Sequence, residues 1–277
     1  MKRNSRRDGG DGRSFFPTDH GQLEPQSLPV EGRYLLLSDL HLGDGRRVDL
    51  FIGNDEAFVA MLEALTADVD AVVLDGDIFD AAETTRAEPI RRAHLRAIQA
   101  LEAVAERLPL YHVVGNHDSL AFIGELLPAA RPCREVRLGD QGLIVHGHRF
   151  DVHFVDGPLD GKGHIALRAH AWVEERMGDE IRLPFSHYDN PANRFAHWVF
   201  YRLTMASLLA ARVMARLGRR DPLRRWAAHH DFWARSQWGD AHGLLLPALR
   251  ALAESPYRVL FTGHCHQAGL LDHFPDR

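Results

Sequence analysis

Five short runs along the chain share one shape: several apolar residues, then at once Asp, Asn or His. They are YLLLSDLH (Tyr34–His41), AVVLDGDIFD (Ala71–Asp80), YHVVGNHD (Tyr111–Asp118), LIVHGH (Leu143–His148) and YRVLFTGHCH (Tyr257–His266). A short apolar run bounded by turn residues reads as a strand buried on both faces. Helix-spaced segments separate the runs. Asn54 or Asp55 caps a helix in which Phe58, Val59, Leu62 and Leu65 recur on one face. Glu88–Arg107 reads as a second amphipathic helix, stopped before Pro109. Leu120–Leu127 is helix-like, and Ala241–Glu254 predicts the last helix. EVRL (Glu135–Leu138) and the Leu143 run flank GDQG (Gly139–Gly142) as a hairpin.

The rhythm stops at both ends of this pattern. Residues 1–32 are rich in Gly, Pro, Arg and Asp without periodicity and read as a disordered tail, leaving 33–277 as the folded domain. Between His148 and Pro256 strands no longer alternate with helices. An insertion over about 152–240, mostly helical and rich in Trp, His and Arg, is expected as a lid. Within it, Arg194–Arg225 holds eight arginines and one acid, Asp221. On an unbroken helix Arg194, Arg202, Arg212, Arg216, Arg219 and Arg220 fall in one arc. Phe195, Val199, Leu203, Ala210, Val213, Met214 and Leu217 fall opposite. Such a basic amphipathic helix is a lid with its charges in water, or a contact with an anionic membrane surface.

Composition adds limits. Of the 277 residues 45% are apolar, enough for a core. The formal net charge of −5 points away from nucleic acid. Cys133 and Cys265 do not form a disulfide framework, which fits a reducing cytoplasm. No run of eighteen apolar residues spans a membrane, and no apolar segment follows the basic N-terminus as in a secretory signal.

The strand ends carry the chemistry. A buried strand has no local need for Asp or His where it stops, whereas divalent cations need carboxylate, carboxamide and imidazole ligands held close together. Asp77 lies at the carboxyl end of a predicted strand, where open α/β sheets gather ligands, and Asp80 follows three residues on. Two metals about 3.5–4 Å apart sharing a carboxylate or hydroxide serve in-line attack on phosphorus. The chain's eighteen histidines, several of them in these blocks, favour such a site.

The ordered blocks DLH, GDIFD, GNHD, HGH and GHCH resemble the calcineurin-like metallophosphoesterases, from Arg33 to about Leu271 outside the insertion. That resemblance implies an α/β fold: a two-sheet sandwich flanked by helices, with a helical insertion as lid. It implies two divalent metal ions, manganese first, with iron, zinc or magnesium also suited to the ligands. One metal would be held by Asp39, His41, Asp77 and His266, the other by Asp77, Asn116, His146 and His264, with Asp77 between them. His117 would face the substrate phosphate and protonate the leaving oxygen, with Asp80 orienting it. Asn116 and His117 would also bind substrate. Arg46, Arg47 and Arg149 lie near strand-end loops and are candidates for a phosphate contact, Arg149 before the others. His148 is an alternative to His146, and Asp151 a candidate to back up a ligand. Cys265 reads as a small buried residue, and His94, His112, His153, His164 and His170 as surface or packing residues.

Within that family, the opening SDLHLG and the long insertion look like the UDP-2,3-diacylglucosamine pyrophosphohydrolases. That branch carries Arg where this chain has His117. The expected function is therefore two-metal hydrolysis of a phosphoester or pyrophosphate bond in a phosphorylated small molecule or lipid-linked substrate. The enzyme would be cytoplasmic, peripheral on the inner membrane surface. A broad phosphomonoesterase or cyclic-nucleotide phosphodiesterase remains open, as does a non-catalytic scaffold.

Overall fold

The computed structural model describes residues 23–46, 49–81, 83–150, 191–219 and 242–264. Its strands are β1 (Gln26–Leu28), β2 (Tyr34–Leu37), β3 (Ala71–Asp75), β4 (Leu110–Val113), β5 (Arg131–Cys133), β6 (Val136–Leu138), β7 (Gly142–Ile144) and β8 (Val259–Phe261). Its helices are α1 (Asp55–Leu65), α2 (Ala87–Ala93), α3 (Leu95–Arg107), α4 (Leu120–Leu126), α5 (Pro191–Arg216) and α6 (His242–Glu254), with short 3-10 turns at Thr66–Asp68 and His148–Phe150.

The strands sort into two four-stranded sheets. The first, in the order β2-β3-β4-β5, is wholly parallel; Leu36 lies opposite Val73, and Val73 opposite Tyr111. The second runs β1-β6-β7-β8 and is mixed, because the expected hairpin joins β6 to β7 antiparallel with Arg137 opposite Leu143.

Alternation along each strand builds three apolar layers. Ala71 and Val73 of β3 meet Leu28, Tyr111, Val113, Val136 and Ile144 between the sheets. Val72 and Leu74, one residue out of phase, join Phe58 and Leu62 of α1, Ile98 and Leu101 of α3, and Ile123 of α4 outside the first sheet. Leu143 and Val145 pack with Ala248 and Leu252 of α6 outside the second. Ile98 and Leu101 are fully buried, and each such side chain contributes about 1.5–3 kcal/mol by leaving water. The expected sandwich with helices outside is thus present.

Four expectations change. The tail does not extend to residue 32, because Gln26–Leu28 add β1 in parallel to β6 and bury Leu28 between the sheets. Residues 1–22 lie outside the described residues. The helix expected at Glu88–Arg107 breaks into α2 and α3 at His94 (φ −121°, ψ 37°). Its buried ring lies 2.7 Å from Asp49 and 3.0 Å from Asp55, and two carboxylate contacts outweigh one helical residue. An unexpected strand, β5, carries Pro132, which is tolerated because among the described residues β5 is an edge with β4 as its one partner.

The fourth change concerns α5. Its first helical residue is Pro191, a position where the missing N–H has no helical partner to lose. Leu208 and Ala211 are buried, yet Val213 and Leu217, expected on the apolar arc, are exposed. Trp198, Met205 and Leu209 are exposed as well, and helical spacing sets them on the side of Arg202 and Arg216. The Arg202 guanidinium lies 5.3 Å from the Trp198 ring centroid. Arginines and apolar residues therefore share the outer face instead of facing apart. The remainder of the expected insertion, 151–190 and 220–241, lies outside the described residues. Among those described, no helix is long and apolar enough to cross a membrane.

Candidate metal centre

The two sheets end their key strands at one place. Beyond β2 and β3 the chains continue side by side: Asp39 N–H donates to Gly76 O at 3.0 Å and His41 N–H to Asp77 O at 2.9 Å, and Leu42 bridges Phe79. Four non-glycine residues among those described have left-handed backbones: Asp39 (φ 55°), His41 (48°), Asp77 (51°) and His264 (71°). Such conformations cost about 1–3 kcal/mol each and persist where the surroundings over-determine them. All four were expected as ligands. The bend turns each side chain from the sheet's alternation toward a common point.

Asp77 sits at that point, 1% exposed. Its Oδ2 lies 3.0 Å from His146 Nε2 and 3.9 Å from His41 Nε2, and its Oδ1 accepts the His117 backbone N–H at 2.7 Å. Two groups of potential ligand atoms form around it. His41, Asp77 and His117 make one, Asp77, His146 and His264 the other, each with atoms within 4.8 Å of one another. Asp39 ties the ends together, since both its oxygens accept the His264 backbone N–H at 2.9 and 3.0 Å. Ser38 Oγ donates to Asp39 Oδ2 at 2.6 Å and is also 2.7 Å from Asp75 O.

The close approach explains two glycines. A Cβ at Gly115 would collide with the Asp77 carboxylate and backbone nitrogen, and one at Gly263 would collide with Ser38 and Asp39.

Electrostatics fit a cation site. His146 Nδ1 is 2.7 Å from Asp75 O and must donate to it, which leaves Nε2 bare toward Asp77. Nε2 lies 3.0 Å from Asp77 Oδ2 but is buried without an aligned hydrogen-bond partner. Both amide atoms of Asn116 are likewise buried without partners. Each such atom costs about 1–3 kcal/mol. A cation bound among imidazole, carboxamide and carboxylate removes that cost, so the residues present fit a divalent metal. Without one, protons take its place. Burial disfavours the His146 imidazolium, but Asp77 outweighs it and pushes His146 up to about 10. Burial likewise opposes the Asp77 charge, yet His146, His117 and His41 hold that carboxyl well below its usual range.

Behind the centre stands Asp80. Its Oδ2 lies 3.1 Å from His41 Nδ1 and its Oδ1 3.0 Å from His117 Nδ1. A carboxylate only accepts, so both Nδ1 atoms donate and both Nε2 atoms are left toward the site. Burial lowers His117, but Asp80 and Asp77 raise it to about 9. Burial and then the charges of Asp80, Asp49 and Asp44 push nearby Glu83 up to about 10, which spares the site another anion.

Other expected residues fall elsewhere. Arg149 does not face a substrate: its side chain is 3% exposed, 3.5 Å from Glu135, with Nη2 donating to Arg134 O at 2.7 Å. The Glu135 carboxylate from the start of the hairpin captures it. His148 is buried with its ring 5.4 Å from that of His146, outside both ligand groups. His266, Cys265, Arg47 and Asp151 lie outside the described residues, as do His153, His164 and His170. His94 and His112 are both packing residues, each buried against carboxylates. Sequence reasoning missed Ser38 and Asp118. The Asp in GNHD was visible, but nothing local shows where a carboxylate behind a turn points.

Comparison with known proteins identifies the family. Residues 32–268 match the family described as calcineurin-like phosphoesterase. Proteins named UDP-2,3-diacylglucosamine hydrolase from Bordetella parapertussis and Bordetella bronchiseptica are each 38% identical over 106 residues, 37% of this chain. The one from Bordetella pertussis is 37% identical over the same length. The match spans 38% of the length of these curated relatives. The family match covers the strand-end blocks, every strand but β1 and most of the chain, and the chain belongs to the calcineurin-like phosphoesterase family.

Proposed function

We propose that this protein hydrolyses a phosphoester or pyrophosphate bond at a centre of two divalent metals. The observation that carries this reading is the Asp77 carboxylate set between two imidazole groups, His41 with His117 and His146 with His264. Asp39, His41, Asp77 and His266 would hold one metal; Asp77, Asn116, His146 and His264 would hold the other. Manganese is the first candidate, and iron, zinc or magnesium suit the same donors. When bound, the pair supplies Lewis acidity and a water acidified enough to attack phosphorus. The chain's own residues do the rest. His117, protonated and oriented by Asp80, donates a proton from Nε2 to the leaving oxygen. Asn116 and His117 orient the phosphoryl group. Asp80 keeps the His41 ring in the tautomer that leaves Nε2 a lone pair.

The substrate in this reading is a nucleotide-linked acylated sugar such as UDP-2,3-diacylglucosamine, met on the cytoplasmic face of the inner membrane. The relatives' names support it. So does the exposed mixture of Trp198, Met205 and Leu209 with Arg202 and Arg216, which suits a charged head with an apolar tail. An activity screen of the manganese-loaded protein tests both levels. UDP-diacylglucosamine should be turned over with a far higher kcat/KM than nucleotides or chromogenic mono- and diesters. Equal use of the small esters makes the protein a broad phosphoesterase. No turnover with metal bound makes it a scaffold.

A further inference from the structure

The turn that carries Asp77 is held from behind by a residue the reaction does not use. Asp118 is fully buried, and its two oxygens collect five N–H donors. Oδ2 accepts from the backbone of Asp77 and Gly115, both at 2.9 Å, and from His112 Nε2 at 3.0 Å. Oδ1 accepts from Ile78 N at 3.2 Å and Phe79 N at 3.3 Å. Three consecutive N–H groups that point to one side form a concavity that binds an anion. Here the chain fills that concavity itself. The three belong to the segment that begins with Asp77 at φ 51°. Gly115, the fourth backbone donor, is the residue that allows close approach to Asp77. His112 completes the set, its Nε2 donating to Asp118 Oδ2 at 3.0 Å.

We propose that Asp118 is a positioning residue for the metal centre. Its carboxylate clamps the Asp77–Phe79 turn with Asp77 in the left-handed form that aims its side chain at both imidazole groups, and so sets metal affinity. This rests on the two-metal reading above. Only a carboxylate suits the place. An asparagine has one oxygen, so its amide N–H atoms would face either the backbone donors of Ile78 and Phe79 or the three donors at Oδ2.

The test is a titration of the metal-free full-length chain with Mn²⁺ alone, read by calorimetry. Asp118→Asn should weaken Mn²⁺ binding by about 10–100-fold, the usual effect of removing a group that supports a ligand. Amide exchange at Asp77, Ile78 and Phe79 should speed up in the same variant. Leu101→Ala, a core truncation in α3, should lower the melting temperature and leave Mn²⁺ binding unchanged. Unchanged Mn²⁺ affinity in folded Asp118→Asn, or equal weakening in Leu101→Ala, overturns the proposal. If Asp118→Asn does not fold, His112→Phe replaces it. That variant keeps a ring beside Phe79 and removes one donor, and should weaken Mn²⁺ in the same direction; no change overturns the proposal. Asp77→Asn separates the two levels. If it binds Mn²⁺ normally, the centre itself is misplaced and the role of Asp118 falls with it. If it loses Mn²⁺ while Asp118→Asn does not, the centre stands and the positioning role alone fails.

Discussion

Asp80 Oδ1 stands 3.0 Å from His117 Nδ1, and the carboxylate's other oxygen is 3.1 Å from His41 Nδ1. One buried anion thus orients two rings whose centroids are 4.7 Å apart. Both rings turn Nε2 to the site, but the proposed reaction asks a proton of one and a lone pair of the other.

That division predicts how His117→Ala behaves. Both metals should stay bound while turnover slows by about 10²–10⁴-fold, the worth of a positioned general acid. The loss should shrink for nitrophenol esters, whose leaving group needs little protonation. Metal analysis beside kcat for good and poor leaving groups checks this. If metal is lost as well, His117 is a ligand, as its place beside His41 and Asp77 allows.

Asp77→Asn removes the one charge that faces both ligand groups. Turnover should vanish and bound metal should fall below two ions per chain. Full activity with two metals retained would defeat the assignment.

Gly115→Ala places a methyl against the Asp77 carboxylate and backbone. The turn must shift, and metal affinity should drop before the fold is lost. Mn²⁺ titration together with a melting curve checks it; a drop in melting temperature alone counts against the close approach.

His94 predicts a pH dependence of stability. Burial lowers it, but its bonds and charges with Asp49 and then Asp55 raise it above its ordinary value. The folded state thus holds the proton more tightly than the unfolded chain. Stability from this pair is fully present below about pH 6.5 and is lost as pH rises through the higher folded value. The melting-temperature gap between the parent chain and His94→Asn should therefore narrow from pH 6 toward alkaline pH. A gap that widens would refute the charged pair.

The outer face of α5 predicts a salt-dependent surface contact. Replacing Arg202, Arg212 and Arg216 by Ser should reduce binding to anionic vesicles, and high salt should mimic the loss. Hydrolysis of a small chromogenic diester should be unaffected, because both proteins present the same metal centre. Vesicle binding that ignores both changes removes the membrane role.

The strand-end blocks were legible because their information is local. An apolar run followed by Gly and Asp states both a buried strand and its end, and the five blocks in order led to the family that spans 32–268. Asp39, His41, Asp77 and His264 stand in those blocks, the resemblance implied them as ligands, and the structure brings them to one place. What the residues nearby do not state is direction. Arg149 was placed near the site by its position after HGH, but Glu135, from the start of the hairpin, turned it inward. The break at His94 depended on Asp49 and Asp55, about forty residues upstream. β1 needed β6 beside it before three residues in a polar stretch could become a strand.

The sequence alone thus determined the five strands that run into Asp, Asn or His and the chemistry those residue types allow, but neither β1 nor β5. Only the tertiary structure decided that Asp118 accepts the Asp77 N–H, that Glu135 turns Arg149 inward, and that α5 mixes arginine with exposed Trp198 and Leu209. The reason is physical. Strand and turn preferences arise within a few residues, whereas the direction of a buried charge is set by whichever distant donor or counter-charge reaches it once water is excluded.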